Sequence, residues 1–83
     1  MTRVTLLTTS GCDLCAQAKA VLDRLAPEFA LDVECVDAST EHGQTLAQRA
    51  GMAFPPAVLL DGEPFSYGRL SERKLRRALT RGR

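Results

Sequence analysis

Tryptophan is absent, histidine and tyrosine occur once each, and aromatic residues make up only 5% of the 83-residue chain. The arginine-rich stretch from Arg69 to Arg83 contains no aromatic residue on which a base could stack, which argues against nucleic acid as a partner. No apolar run is longer than a few residues, and Met1-Thr2-Arg3 leads straight into a strand-like segment without a charged leader and apolar stretch. The expectation is a soluble, cytoplasmic protein without a membrane partner. Cysteine is scarce as well. Three cysteines are an odd number and too few for a secreted disulfide scaffold, so in a reducing compartment a Cys-x-x-Cys reads as catalytic or metal-binding.

The metal reading is short of ligands. Structural zinc wants four, normally two cysteine pairs, and here only Cys35 and His42 are left to complete a set. Cys35 falls inside a strand pattern and is expected to be a small buried hydrophobe. His42 is expected to face solvent, and no metal is expected. Repeats, linkers and low-complexity segments are also missing, so residues 1–83 are expected to form one domain, near the size at which stability becomes marginal.

The net charge of +1 conceals a polarity along the chain. Glu28, Asp32, Glu34, Asp37 and Glu41 make the middle acidic, while Arg69, Arg73, Lys74, Arg76, Arg77, Arg81 and Arg83 make the tail basic. Such runs are usually solvated faces. The functional alternative is an acidic protein partner.

What the sequence does have is Ser10-Gly11-Cys12-Asp13-Leu14-Cys15, set between the apolar run Val4 to Thr8 and the start of a helical pattern. The first turn of a helix leaves N–H groups unpaired and carries positive partial charge, so a cysteine seated there is favoured as thiolate. Asp13 beside it opposes that effect. Cys15, three residues on, lies about one turn away on the same face, within reach of a mixed disulfide on Cys12.

Along the chain, Arg3–Thr8 reads as a strand buried on both faces, and Thr9–Gly11 as a turn. Leu14, Ala18, Val21, Leu22 and Leu25 recur at helical spacing, and Pro27 is expected to close that helix near Leu25. Leu31–Val36 alternates as a strand near a sheet edge would, parallel to the first through a right-handed crossover. Ser39 or Thr40 caps a second helix through about Ala50, ended by Gly51. The prolines 55 and 56 precede a strand over Ala57–Leu60, Asp61-Gly62 turns a hairpin, and Pro64–Tyr67 returns antiparallel. Gly68 breaks that strand, and Ser71 caps a last helix carrying Leu75, Ala78 and Leu79 inward. The order is βαβαββα, an α/β fold.

These residues resemble the thioredoxin superfamily, and more closely its glutaredoxin branch, including small bacterial glutaredoxin-like proteins with Cys-x-Leu-Cys in this position. The resemblance covers nearly the whole chain: the Cys-x-x-Cys at the first strand-to-helix junction, Ala18-Lys19 after it, the proline before the third strand and the Asp61-Gly62 hairpin. It implies a thioredoxin-like fold with a four-stranded mixed sheet flanked by helices. It also implies a cis-proline facing the dithiol, placed at Pro56 with Pro55 as the neighbouring choice, where the residue before it pairs with the substrate chain. Phe54, Gly68 and Lys19 join these prolines as expected groove residues, and Arg49 and Arg69 as expected contacts for a carboxylate. Glutaredoxins usually carry Pro-Tyr between the cysteines, Thr-Val before the cis-proline and Gly-Gly-Cys-Asp/Ser near the last helix. Here those positions read Asp13-Leu14, Phe54-Pro55 and Tyr67-Gly68-Arg69-Leu70-Ser71, so only Gly68 and Ser71 match.

The function expected on this reading is thiol–disulfide oxidoreduction: Cys12 attacks, Cys15 resolves, and electrons pass to a disulfide-containing protein or small thiol in cell redox homeostasis. No bound cofactor is required, with glutathione or another low-molecular-weight thiol as candidate reductant. The alternative is a non-catalytic thioredoxin-fold module that docks an acidic partner through its basic last helix.

Overall fold

Val4, Thr5, Leu6 and Leu7 are all buried, the pattern of a strand covered on both faces and flanked on both sides. In a computed structural model that describes residues 2–51 and 55–81, they occupy the centre of β1. The elements are β1 (Thr2–Thr8), α1 (Asp13–Phe29), β2 (Leu31–Asp37), α2 (Glu41–Ala50), β3 (Ala57–Leu60), β4 (Glu63–Tyr67) and α3 (Glu72–Arg81). The sheet order is β2-β1-β3-β4. β1 and β2 run parallel, with Thr2 opposite Leu31 and Thr8 opposite Asp37, whereas β3 is antiparallel to both β1 and β4. The hairpin turn follows its sequence: Asp61 has φ 50° and Gly62 φ 83°, the pair of positive angles a tight two-residue turn requires. Asp61 is tied to the start of β1 twice, accepting the Arg3 N–H at its carboxylate and donating its own N–H to the Arg3 carbonyl.

Side chains alternate across the sheet, so the two faces of β1 build two cores. Val4, Leu6 and Val58 pack against Ala18, Val21, Leu22 and Leu25 of α1 and Leu75 and Leu79 of α3. Leu7, Val36, Ala57 and Leu59 meet Leu46, Ala47 and Ala50 of α2. α2 sits close to the sheet because Gly43 has no side chain: a Cβ there would lie 2.2 Å from the Asp37 carbonyl oxygen. Of the two candidate caps for α2, Thr40 fills the position, its hydroxyl oxygen accepting the Gly43 N–H at 3.0 Å. Ser39 instead donates to Asp37, holding that carboxyl below the usual carboxylate range. The Ser71 hydroxyl accepts the Lys74 N–H in the first turn of α3.

One boundary differs from the sequence expectation. α1 does not end near Leu25 but runs through Pro27 to Phe29. Proline removes the N–H that would bond the Asp23 carbonyl, but its ring lies on the exposed side of the last turn. Phe29 packs against the first core, and Ala30, in the left-handed region, closes the helix by donating its N–H to Ala26. Burial of Phe29 and a formed cap outweigh one lost hydrogen bond.

Glu72 accepts hydrogen bonds from Arg24 at 2.7 Å and Arg76 at 3.4 Å, and Arg76 also pairs with Glu28. Part of the basic tail is therefore matched by α1 and α3 themselves. The outer strands are β2, which carries Asp32, Glu34 and Asp37 exposed, and β4, which contains Pro64 and a register shift opposite Val58 and Leu59. Among the described residues, no helix is long and apolar enough to cross a membrane.

Candidate active site

Thr9 to Gly11 carry the chain from β1 to α1, and Gly11 makes the turn at φ 70°, a conformation that glycine reaches without steric cost. Cys12 then takes the N-cap of α1 in an extended conformation (φ −103°, ψ 109°), with its Sγ accepting the backbone N–H of Cys15 at 3.1 Å. A thiol sulfur occupies the place usually taken by a serine or aspartate oxygen. Its exposure differs from that of its partner: Cys12 is half-buried, whereas Cys15 is 4% exposed, on the α1 stripe that continues through Ala18, Leu22 and Leu25. Burial pushes the Cys15 thiol up from the ordinary cysteine range, its side-chain hydrogen bond with Cys12 adds to this, and a backbone hydrogen bond with Thr9 opposes it. The outer sulfur is the more accessible of the two, and burial favours the protonated form of the inner one.

A concavity of about 300 Å³ opens beside the pair, lined by residues that include Thr8, Gly11, Cys12, Cys15, Lys19 and Cys35. Lys19 is on its wall, with its ammonium paired to Asp23 at 3.2 Å. Cys35 corrects the sequence expectation: it is exposed, not buried. β2 is an edge strand with no neighbour beyond it among the described residues, and the core residues of α1 lie over Val4, Leu6 and Val58. Leu31 and Val33 are partly covered on that face, while Cys35, two residues further along, opens onto the concavity.

The Pro55–Pro56 peptide bond is cis. Pro56 is fully buried, Pro55 half-buried. The next residue, Ala57, pairs with Leu7 near the end of β1, which puts the two prolines at the same end of the sheet as the Cys12 turn. The Pro56 carbonyl accepts the N–H of Gly68 at 2.7 Å, with Gly68 at φ 82°, so Gly68 is at this end too. Phe54 lies outside the described residues. Arg49, Arg69 and His42 are exposed, and Ser71 is occupied as a helix cap. Among the described residues, no three His, Cys, Asp or Glu side chains come together as a metal-ligand set. The sequence does not show the place of Cys35 in the concavity or the Gly68–Pro56 hydrogen bond; the shared phase of Leu31, Val33 and Cys35 along β2 is the one signal in it that points to Cys35.

The chain belongs to the glutaredoxin-like domain (DUF836) family, which matches residues 3–80. Proteins of Mycobacterium bovis and of Mycobacterium tuberculosis strain H37Rv, both named as uncharacterized, are each 34% identical over 82 residues, covering 95% of this chain and 84% of theirs. Among solved structures, a mutant thioredoxin of Halobacterium salinarum superposes with a TM-score of 0.75 at 23% identity over 96% of this chain and 73% of its own. Thioredoxin O2 of Arabidopsis thaliana in the oxidized state gives 0.75 at 14% identity, covering 98% and 74%. The fold is the thioredoxin fold, and it carries a Cys12–Cys15 pair at the start of α1.

Proposed function

We propose that this glutaredoxin-like protein is a thiol–disulfide oxidoreductase. The observation that carries the reading is the asymmetry of the pair: a half-buried Cys12 at the helix N-cap, its sulfur 3.1 Å from the Cys15 N–H, and a nearly inaccessible Cys15 beneath it. In the forward direction the Cys12 thiolate attacks one sulfur of a substrate disulfide, forming a mixed disulfide and expelling the other half as thiolate. Cys15 then loses its proton and attacks the Cys12 sulfur, closing the Cys12–Cys15 disulfide and releasing the second half of the substrate. Two electrons have passed to the substrate. An external thiol, glutathione or another small one, returns them by the reverse exchange.

Pro56 and Gly68 shape the groove beside the dithiol. The residue before the cis-proline, which the family likeness implies as the backbone partner of a substrate chain, is itself a proline here. Pro55 has no N–H, so it offers an acceptor and no donor. This favours small or loosely held disulfides over extended peptide segments.

The test is the reduction potential of the pair, measured by equilibration in graded dithiol buffers with alkylation and mass spectrometry. A reversible two-electron transition between roughly −280 and −180 mV, the range from thioredoxin to disulfide isomerase, supports the reading. Failure to form an intramolecular disulfide, or stoichiometric zinc retained by the reduced protein, sinks it. A second reading, docking of an acidic protein, is favoured by α3: Arg73, Arg77 and Arg81 recur every fourth residue, and among the described residues none has an acidic partner within ion-pair distance. A chain that binds a partner but never turns over a disulfide would favour it.

A further inference from the structure

The proposed cycle leaves one thiol unused. Cys35 is free and exposed, and it shares the wall of the 300 Å³ concavity with Cys12, Cys15 and Lys19. Its place is fixed by the sheet: β2 pairs in register with β1, which sets Cys35 opposite Leu6, two residues before the end from which the Cys12 turn departs. Its companions on that face, Leu31 and Val33, pack against the α1 and α3 core, so Cys35 is the first β2 position on this face that meets open space. That space is at the small end of ligand clefts, suited to a small thiol and too small for a folded chain. Anything attached to the Cys35 sulfur has this concavity as its immediate room, and Cys12 opens onto the same room.

We infer that Cys35 is a thiol-exchange site for low-molecular-weight disulfides, and that the adduct formed there obstructs the approach to Cys12. In the exchange, the Cys35 thiolate attacks one sulfur of a small disulfide R–S–S–R. A Cys35–S–S–R bond forms, the original S–S bond breaks, and R–S⁻ departs and takes a proton from water. Cys35 is oxidised and one half of the small disulfide is reduced, so no other oxidant is needed. Excess thiol reverses the step, which makes obstruction of the site follow the ratio of small disulfide to small thiol. Capture at Cys35 stands apart from the oxidoreductase reading; only its effect on turnover rests on that reading.

Capture is tested on the full chain carrying Cys12→Ser and Cys15→Ser, with glutathione disulfide as the probe and intact mass as readout. One glutathionyl group is expected on the folded protein, located at Cys35, removed by dithiothreitol and absent when Cys35→Ser is added. No adduct on the folded protein, with uptake restored in urea, overturns the inference. Obstruction is tested without any disulfide chemistry by placing bulk at the same wall. The rate of Cys12 alkylation by iodoacetamide is expected to fall by about an order of magnitude in Cys35→Trp relative to Cys35→Ser, since exchange and alkylation follow access. Equal rates in folded Cys35→Trp and in a second bulky variant, Cys35→Phe, overturn it. Neither measurement needs a Cys12–Cys15 disulfide, so a failed potential measurement and a failed Cys35 test remain distinguishable.

Discussion

The backbone N–H of Cys15 points at the sulfur of Cys12 across 3.1 Å, so the outer thiol caps the helix that holds the inner one. Substitution at Cys15 can remove the second sulfur and leave this N–H in place. Cys15→Ser is therefore expected to keep the first half of the exchange and lose the second, accumulating a mixed disulfide with a small disulfide substrate, visible by intact mass. Cys12→Ser should lower turnover by roughly a hundredfold or more, because the attacking group itself is gone. Comparable turnover in the two variants and the parent would contradict the assignment of roles.

The buried sulfur of Cys15 should also show itself by pH. Burial, the largest cause of the raised Cys15 value, survives Cys12→Ser, while the added effect of the neighbouring sulfur does not. In that variant, Cys15 alkylation in the folded protein is expected to begin at higher pH than in urea. The sign for stability follows: the native state favours the protonated thiol, so its contribution is complete below the ordinary thiol range and is lost as pH rises through the raised folded value. Coincident folded and urea profiles would contradict this.

Pro55 supplies a third test. Pro55→Thr adds the missing backbone donor next to the cis Pro55–Pro56 bond. Turnover of a disulfide within an extended peptide is expected to rise by about fivefold, near one ordinary hydrogen bond, while a small symmetric disulfide changes little. An equal change for both substrates would show that the proline does not set this preference.

Glycine positions separate lack of space from backbone conformation. At Gly43 a Cβ meets the Asp37 carbonyl oxygen at 2.2 Å, and backbone cannot move aside as a flexible side chain can. Gly51 has φ 68° with nothing within 4 Å of a Cβ, so only its left-handed conformation opposes a side chain. Gly43→Ala is expected to cost about 3 kcal/mol, at the upper end of overpacking effects. Gly51→Ala is expected to cost about 1 kcal/mol, the penalty of the left-handed region. Urea unfolding measures both, and the reverse order would refute the argument.

The α1–α3 charges predict the acid limb of stability. Arg24, first by its hydrogen bond, and then Arg76 hold the Glu72 carboxyl below the usual carboxylate range. A lowered folded value gives stability that is present above the unfolded value and lost as pH falls through the folded one. Glu72→Gln should therefore flatten the fall in melting temperature below about pH 4.3, and added salt should shrink the difference. An unchanged acid limb would mean the pairs are energetically silent.

Features set by a few neighbouring residues were readable in advance: the strand-to-helix junction at Cys12, the Asp61-Gly62 turn, the Gly51 cap. Each depends on local backbone chemistry. Features set by how far one element extends over another were not. Pro27 reads as a helix end because the lost hydrogen bond is local, whereas the burial of Phe29 that overrides it is tertiary. The alternation from Leu31 to Val36 places Cys35 in a strand, but nothing in a period-two pattern tells where the covering helix begins. The close seat of α2 on Gly43 was equally hidden, since the oxygen it spares belongs to another element.

Among the described residues the four-stranded sheet leaves two rims, β2 and β4, without a neighbouring strand, and the chain treats them differently. On β4, Pro64 withholds a donor and the register shift bends the strand, a geometric defence that pH cannot remove. On β2 the defence is electrostatic: Asp32, Glu34 and Asp37 would face their own kind if two copies met rim to rim. One rim is thus guarded by backbone geometry and the other by charge, so salt, which screens exposed charges, weakens the guard on β2 and leaves that on β4 in place.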